Sequence, residues 1–412
     1  MNWPASRQNR QKLIAAWLIA MSISHVVLAS SAVPLLRRGY QDFTIFYTAG
    51  TLVRTGNATD LYNPTVQYRV QQGFAPQADA RHGALPYTHT PFEALLYAPL
   101  TILAFPLAYL LWVGINLVLL VFSLVLLRRN FHEAQTMSPL LLGLAASGFF
   151  PIAIALIQGQ DTVLVLFLVV LAMVFLRKGH DALGGAVLGL ALFKFHLVGP
   201  LALLVSVRRP RLLSGFVPVG LALVAVCIFV VGGQGAVDYA RYLADMEKTG
   251  AQGAIVAADM ANLRGLLTST LPEGKGAALF VAIAVCSLVV LLATASRIAR
   301  NVQSIFTLFA CAATASILVS YHALPYDLVL LLPAGILLLS GSIRTDQRTS
   351  PRLLSLLLFL TPLHLALWLQ WRIYFCLAAL LLWLVWELSR SSSPPESPRL
   401  TFRDNTTPSI GK

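Results

Sequence analysis

Charge is scarce in this sequence: 11% of its 412 residues are Asp, Glu, Lys or Arg, where a soluble domain carries roughly a quarter. That shortage excludes an ordinary water-soluble fold. Cysteine is also sparse. Cys227, Cys286, Cys311 and Cys376 lie inside apolar runs without metal-like spacing, which excludes a disulfide framework and a cysteine zinc site. No short-period repeat and no soluble second domain can be found. The net charge of +13 is of the sign that suits nucleic acid, but the basic residues sit in short clusters between apolar runs, the pattern of the positive-inside rule. A nucleic-acid partner is discounted.

What is present is hydrophobicity, 57% of the chain. Apolar runs near the ~20 residues needed to cross about 30 Å of hydrocarbon recur from end to end. Backbone polar groups in lipid must be satisfied within the segment, so the class is all-α integral membrane. Leu13–Val33 follows Arg7, Arg10 and Lys12 as a signal peptide would. It is too long for a cleaved leader and lacks a convincing small-residue cleavage site, so it is expected to be a retained span.

With the N-terminus inside, the clusters Arg128/Arg129, Arg177/Lys178, Arg208/Arg209/Arg211, Arg297/Arg300, Arg344/Arg348/Arg352 and the tail from Arg390 all fall on the cytoplasmic side. About ten full spans result: 13–33, 106–127, 138–157, 162–176, 212–232, 277–296, 303–320, 327–341, 353–371 and 373–389. Pro91–Ala104 and the pair 182–193 and 197–207 are too short to cross and read as re-entrant or interfacial. Two long extracytoplasmic loops remain, about 34–90 and 233–276. Residues 1–390 form one polytopic domain, and the Pro/Ser-rich 391–412 reads as a disordered cytoplasmic tail.

The candidate residues fall on the outer side. Asp42 opens "DFTIFYTAG", whose Phe43, Phe46, Tyr47 and Gly50 have helical spacing and predict a short helix lying apolar face down at the interface. Asp42 is either the N-cap of that helix or a carboxylate at the lipid boundary that acts as a general base. His89 and Glu93 share a helix face as a capping pair, since two ligands alone make no metal cage. Gln158, Gln160 and Asp161 sit in a tight outer turn, where they cap the hairpin or bind hydroxyls. Lys194 and His196 interrupt the apolar "LALFKFHLVGPLALL". An ionisable residue at membrane depth is a functional hypothesis, with snorkelling as the alternative. Arg264 offers a planar fork for phosphate, and His322 a hydrogen-bonding or proton-handling group beside Tyr326 and Asp327.

"DFTIFYTAGTLVRTGNATDLYN", "YTHTPFEALLYAPLTILAFPLAYLLW", "IQGQDTVLVLFLVVL", "GGAVLGLALFKFHLVGPLALL" and "YHALPYDLVLLLPA" occur in an order and spacing that resemble glycosyltransferase family 87. The resemblance implies a GT-C-type polytopic bundle with interfacial helices around a cavity. It implies transfer of a single sugar, by default mannose, from a polyprenyl-phosphate donor to a lipid or glycan acceptor at the outer face of a bacterial inner membrane, with inversion. The family's catalytic Asp falls on Asp42 and its hairpin Lys on Lys194. Arg264 joins Lys194 as a donor-phosphate contact, while His322, Gln160, Tyr47, His89 and His196 are the substrate-binding candidates. "FKFHLVGP" departs from a Lys followed more closely by Pro. No cofactor and no metal are implied, because the phosphate is already a good leaving group. A transporter or flippase, or a polymerase or ligase of lipid-linked glycans, stays open as an alternative.

Overall fold

The computed structural model describes residues 6–39, 41–76, 85–249, 256–271, 276–344 and 349–390, and the expected tail 391–412 and Arg348 lie outside them. Every element is helical, with no strand among the described residues. In chain order the α-helices are α1 (Arg7–Arg37), α2 (Phe43–Arg54), α3 (Pro64–Phe74), α4 (Pro91–Tyr97), α5 (Phe105–Asn130), α6 (His132–Gln135), α7 (Pro139–Ser147), α8 (Phe150–Gln158), α9 (Thr162–Arg177) and α10 (Asp181–Gly189). Then come α11 (Phe195–Ser206), α12 (Leu213–Thr249), α13 (Leu263–Thr270), α14 (Gly276–Asn301), α15 (Ile305–Val319), α16 (Leu332–Ile343), α17 (Thr349–Phe359), α18 (Thr361–Leu365) and α19 (Leu377–Arg390). Several starts carry their own caps. Asn63 accepts from the Thr65 N–H ahead of α3, and Ser138 from the Leu141 N–H ahead of α7, each with proline at the first helical position where no N–H is needed.

Five stretches are long and apolar enough to cross a membrane: Arg7–Arg37, Phe105–Asn130, Pro210–Ala244, Gly276–Asn301 and Pro325–Ile343. Counting each of three bent pairs as one span raises the number to eight. Ten unbroken crossings are therefore not what the helices give. The expected span 138–157 bends by 61° between α7 and α8, and 353–371 bends by 60° after Phe359. At each break the chain passes through a non-helical residue, Phe149 or Leu360, and restarts with a proline in the first turn, Pro151 or Pro362, which has no N–H with which to continue the preceding helix. The expected spans 162–176, 303–320 and 373–389 are helices of 16, 15 and 14 residues. The short pair 182–193 and 197–207 is the third bent pair. Its ends meet, Arg209 lying 3.9 Å from Asp181, so the pair runs out and back.

The core is α15 together with Pro325–Ile343, buried almost throughout. On the outside, α12 and α14 expose Val224, Phe229, Phe280 and Leu288, a surface suited to lipid. Gly185 on α10 and Gly215 on α12 face each other so closely that a Cβ on either would strike the other helix's backbone, as small residues allow between membrane helices. Basic clusters distant in sequence meet other elements at one end of the bundle. Arg10 donates to the Ile343 carbonyl, Arg208 to that of Ala299, and Arg297 stacks 3.6 Å over Trp386.

The helix after Asp42 departs from expectation. Instead of lying on the interface, α2 is buried from Phe43 to Gly50. Its polar positions are internally satisfied, Thr48 donating to the Thr44 carbonyl and Thr44 to that of Gly39, which leaves a helix apolar on every side. Phe46 stacks on Tyr97 at 4.6 Å, and Phe43 meets the edges of Tyr97 and Tyr109. Pairs of this kind add about 0.5–1.5 kcal/mol beyond burial, so Asp42 stands at the start of a fixed element.

Candidate active site

Asp42 lies just beyond the far end of α1, a helix of 31 residues, from Arg10. Its side chain makes no capping bond to α2, so the simple N-cap role is unfilled. It is held from the turn after α8 instead. The Asp42 N–H donates to Gln158 Oε1 at 3.0 Å, and Gln160 Nε2 donates to Asp42 Oδ2 at 2.7 Å. Tyr326 is also hydrogen-bonded to the Asp42 carboxylate. Gly159 makes that turn possible. It ends α8 at φ +63°, and a Cβ there would sit 2.8 Å from Phe43 Cβ. Trp112 Nε1 donates to the Gly159 carbonyl and Tyr109 to that of Ile157, pinning the turn.

Lys194 occupies the break between α10 and α11, in a 3-10 turn of Leu192–Lys194, and is 3% exposed. Its Nζ lies 3.2 Å from Asp161 Oδ1 and 3.3 Å from both Asp327 Oδ1 and Gln160 Oε1. Snorkelling is thus replaced by burial with partners, the usual arrangement for a charge at membrane depth. Asp327 also accepts from the Leu324 N–H through Oδ2, so one carboxylate both caps its helical turn and holds the lysine. Gln160 bridges Lys194 to Asp42, joining three segments in one polar chain.

Beside this chain, His89 Nδ1 lies 2.9 Å from Glu93 Oε2. Glu93 and Asp161 are fully buried, and burial pushes each carboxyl up to about 7 against the pull of Lys194. Burial and then Lys194 hold His89 down at about 4 and His322 at about 3, so both rings are neutral at physiological pH. His196 and His322 have ring centroids 6.2 Å apart, and His196 Nε2 and His322 Nδ1 have no hydrogen-bond partner.

Asp42, His89, Lys194, His196, His322 and Tyr326 line a single cavity of about 510 Å³, the size of a small-molecule site. Gln160 lies behind its wall. Arg264 is at the rim: Asn262 caps α13 and donates to the Ser320 carbonyl, which places the Arg264 guanidinium 4.1 Å over the ring of Tyr321, itself a lining residue. Tyr47 does not join them, since its hydroxyl donates to the Leu103 carbonyl and it is absent from the lining. Glu93 was read from the sequence as a capping partner and Asp161 as a cap or a hydroxyl binder, and their grouping with Asp327 was missed. A buried lysine needs carboxylate partners, and these outer-side acids were the signal available.

Neither a curated protein nor a solved structure matches the chain. The sequence model of glycosyltransferase family 87 matches residues 87–321, more than half of the chain; it takes in His89, Gln160, Lys194 and Arg264, ends one residue before His322, and begins 45 positions after Asp42. With long apolar helices around a polar cavity, the chain is an integral membrane glycosyltransferase and belongs to glycosyltransferase family 87.

Proposed function

We propose that the enzyme transfers a single sugar, mannose, from a polyprenyl-phosphate donor to a hydroxyl of a lipid or glycan acceptor, at the extracytoplasmic face of a bacterial inner membrane and with inversion. Asp42 is the general base. It takes the proton of the acceptor hydroxyl as that oxygen bonds to the anomeric carbon, and the polyprenyl phosphate departs with the electrons of the broken C–O bond. Lys194 and Arg264 receive the phosphate, while His322, His196 and His89 offer neutral ring nitrogens to sugar hydroxyls. Residues 1–390 then act as one domain with both termini cytoplasmic.

One observation carries this reading: Asp42 has no capping bond, is oriented by Gln160 and Tyr326, and lines the same cavity as Lys194 and His322. A carboxylate oriented by donors on a rigid helix is prepared for proton abstraction rather than for capping. The test is transfer of labelled sugar from polyprenyl-phosphate mannose to native membrane lipids and glycans, comparing wild type with Asp42→Asn. Wild-type transfer of one hexose that collapses in a folded, donor-binding variant supports the proposal. Equal transfer by both removes Asp42 as base, and transfer of a preassembled block would make the enzyme a polymerase or ligase.

A further inference from the structure

The sequence offered only two adjacent ligand-type residues, His89 and Glu93, and two make no cage. The fold supplies a third. Asp161, from the turn after α8, brings its carboxylate to them so that one donor atom of each residue lies within 4.8 Å of the other two. All three come from rigid ground: His89 and Glu93 flank the start of α4 behind Pro91, and Asp161 follows the pinned Gly159 turn.

Two features say that this cluster is incomplete as an all-protein arrangement. The first is orphaned oxygens. Glu93 Oε1 and Asp161 Oδ2 meet no N–H donor, although both residues are 0% exposed, and the two carboxyls stand within hydrogen-bond reach of each other, an arrangement that needs a shared proton or a cation between them. Asp161 Oδ1 faces Lys194 Nζ at 3.2 Å. An unpaired buried carboxylate costs several kcal/mol. The second is charge. Asp161 and Asp327 share the single ammonium of Lys194, which reaches Asp42 only through Gln160, while Glu93 contacts His89. Positive charge is missing from the place where the orphaned oxygens converge.

We infer that His89, Glu93 and Asp161 form a site for one divalent first-row cation, such as Mn²⁺ or Zn²⁺, set into the wall of the cavity behind Lys194. The donor set of one imidazole and two carboxylates suits these ions better than calcium, which takes six to eight oxygens. The 2.9 Å between His89 Nδ1 and Glu93 Oε2 is also the spacing of neighbouring donors about 2.1 Å from a common ion, near 3 Å at a right angle. Three protein ligands leave a coordination position open. The ion positions rather than reacts: Asp161 bridges it to Lys194, so the lysine keeps its place with fewer uncompensated carboxylates around it. The inference does not depend on the identity of the donor sugar.

The test uses the purified full chain in detergent, stripped with chelator, desalted and titrated with Mn²⁺ alone, read by electron paramagnetic resonance. The expected result at about 0.1 mM Mn²⁺, the range of weak extracytoplasmic sites, is one bound ion per chain with a nitrogen coupling from a histidine ring. Binding should vanish in Glu93→Gln and Asp161→Asn and persist in Asp42→Asn. Absence of bound Mn²⁺ in wild type, with an infrared band for a protonated carboxyl that Glu93→Gln removes, would overturn the site and assign the missing charge to a shared proton. Binding without nitrogen coupling would overturn it as well, and that readout needs no variant to fold. Sugar transfer is not measured, so either result leaves the proposal for Asp42 to its own assay.

Discussion

Two of the polar clusters buried in this membrane protein differ in kind, and only one behaves as a site. In the first, Asp42, Lys194, Asp161 and Asp327 are ionisable and linked in part through Gln160, and Asp42 and Lys194 line a cavity. In the second, His25 on α1 contacts the Ser147 carbonyl at 2.7 Å and Thr361 Oγ1 at 2.8 Å. His364 contacts the Tyr374 hydroxyl at 2.9 Å and the Leu358 carbonyl at 3.1 Å, with Phe150 between the two rings. Every ring nitrogen of that cluster has a partner and no carboxylate is present. It joins α1, α8 and the bent stretch from α17 to Tyr374. Buried polarity alone therefore does not mark function; unfinished polarity beside a cavity does.

The strongest way to break this contrast is to remove the cation of the first cluster. Lys194→Met strands Asp161 and Asp327 in a buried setting and should lower stability by about 3–5 kcal/mol, as loss of one partner from a buried pair does. Thermal unfolding in detergent checks it. Adding Asp327→Asn to the variant should recover part of the loss; a wild-type melt for Lys194→Met alone would mean that the three charges are not coupled.

Asp42→Asn sharpens the contrast from the other side. The amide keeps the size of the carboxylate but cannot take a proton, so transfer should fall by about 10²–10⁴-fold with little change in melting temperature. In the second cluster the pattern should reverse. Tyr374→Phe removes one buried hydrogen bond and should cost about 1 kcal/mol, with kcat/KM for transfer unchanged. A variant there that melts normally but transfers poorly would end the distinction between the clusters.

The fold and the site were unequally legible in the sequence. Runs such as 105–130 and 276–301 were read closely, because in lipid the backbone leaves no alternative to a helix. Asp42, Lys194 and His322, which line one cavity, were singled out because a charged or ionisable residue among apolar neighbours stands out locally. What stayed hidden depended on tertiary contact. No spacing rule puts Asp161 beside Glu93, 68 positions away, and α2 looked interfacial because its burial comes from Tyr97, Phe105 and Tyr109. The bends at Pro151 and Pro362 were marked by the prolines themselves, yet hydropathy averaged across them.

The last predicted effect concerns pH. His322 lines the cavity with its pKa lowered to about 3, by burial first and then by Lys194 and Arg264. Unfolded histidine titrates near 6.5, so between about 6.5 and 3 the unfolded state takes up a proton that the folded state refuses. The stability that His322 contributes is thus full above pH 6.5 and drains away as the pH falls, by up to about 1.4 kcal/mol per pH unit. Glu93 and Asp161, raised to about 7, act with the opposite sign, because the folded state binds their protons first as the pH falls through 7. His89, held down at about 4, sides with His322. In chelator, where no added ion competes for the carboxyls, these slopes offset one another and the wild-type melting temperature should change little between pH 7 and 5. His322→Asn removes one histidine from that balance, so its melting temperature should rise relative to wild type as the pH falls from 7 to 5. Parallel curves for the two proteins would mean that His322 is as well hydrated in the fold as out of it, and that it belongs with the solvent-facing rim rather than with the buried charges around Lys194.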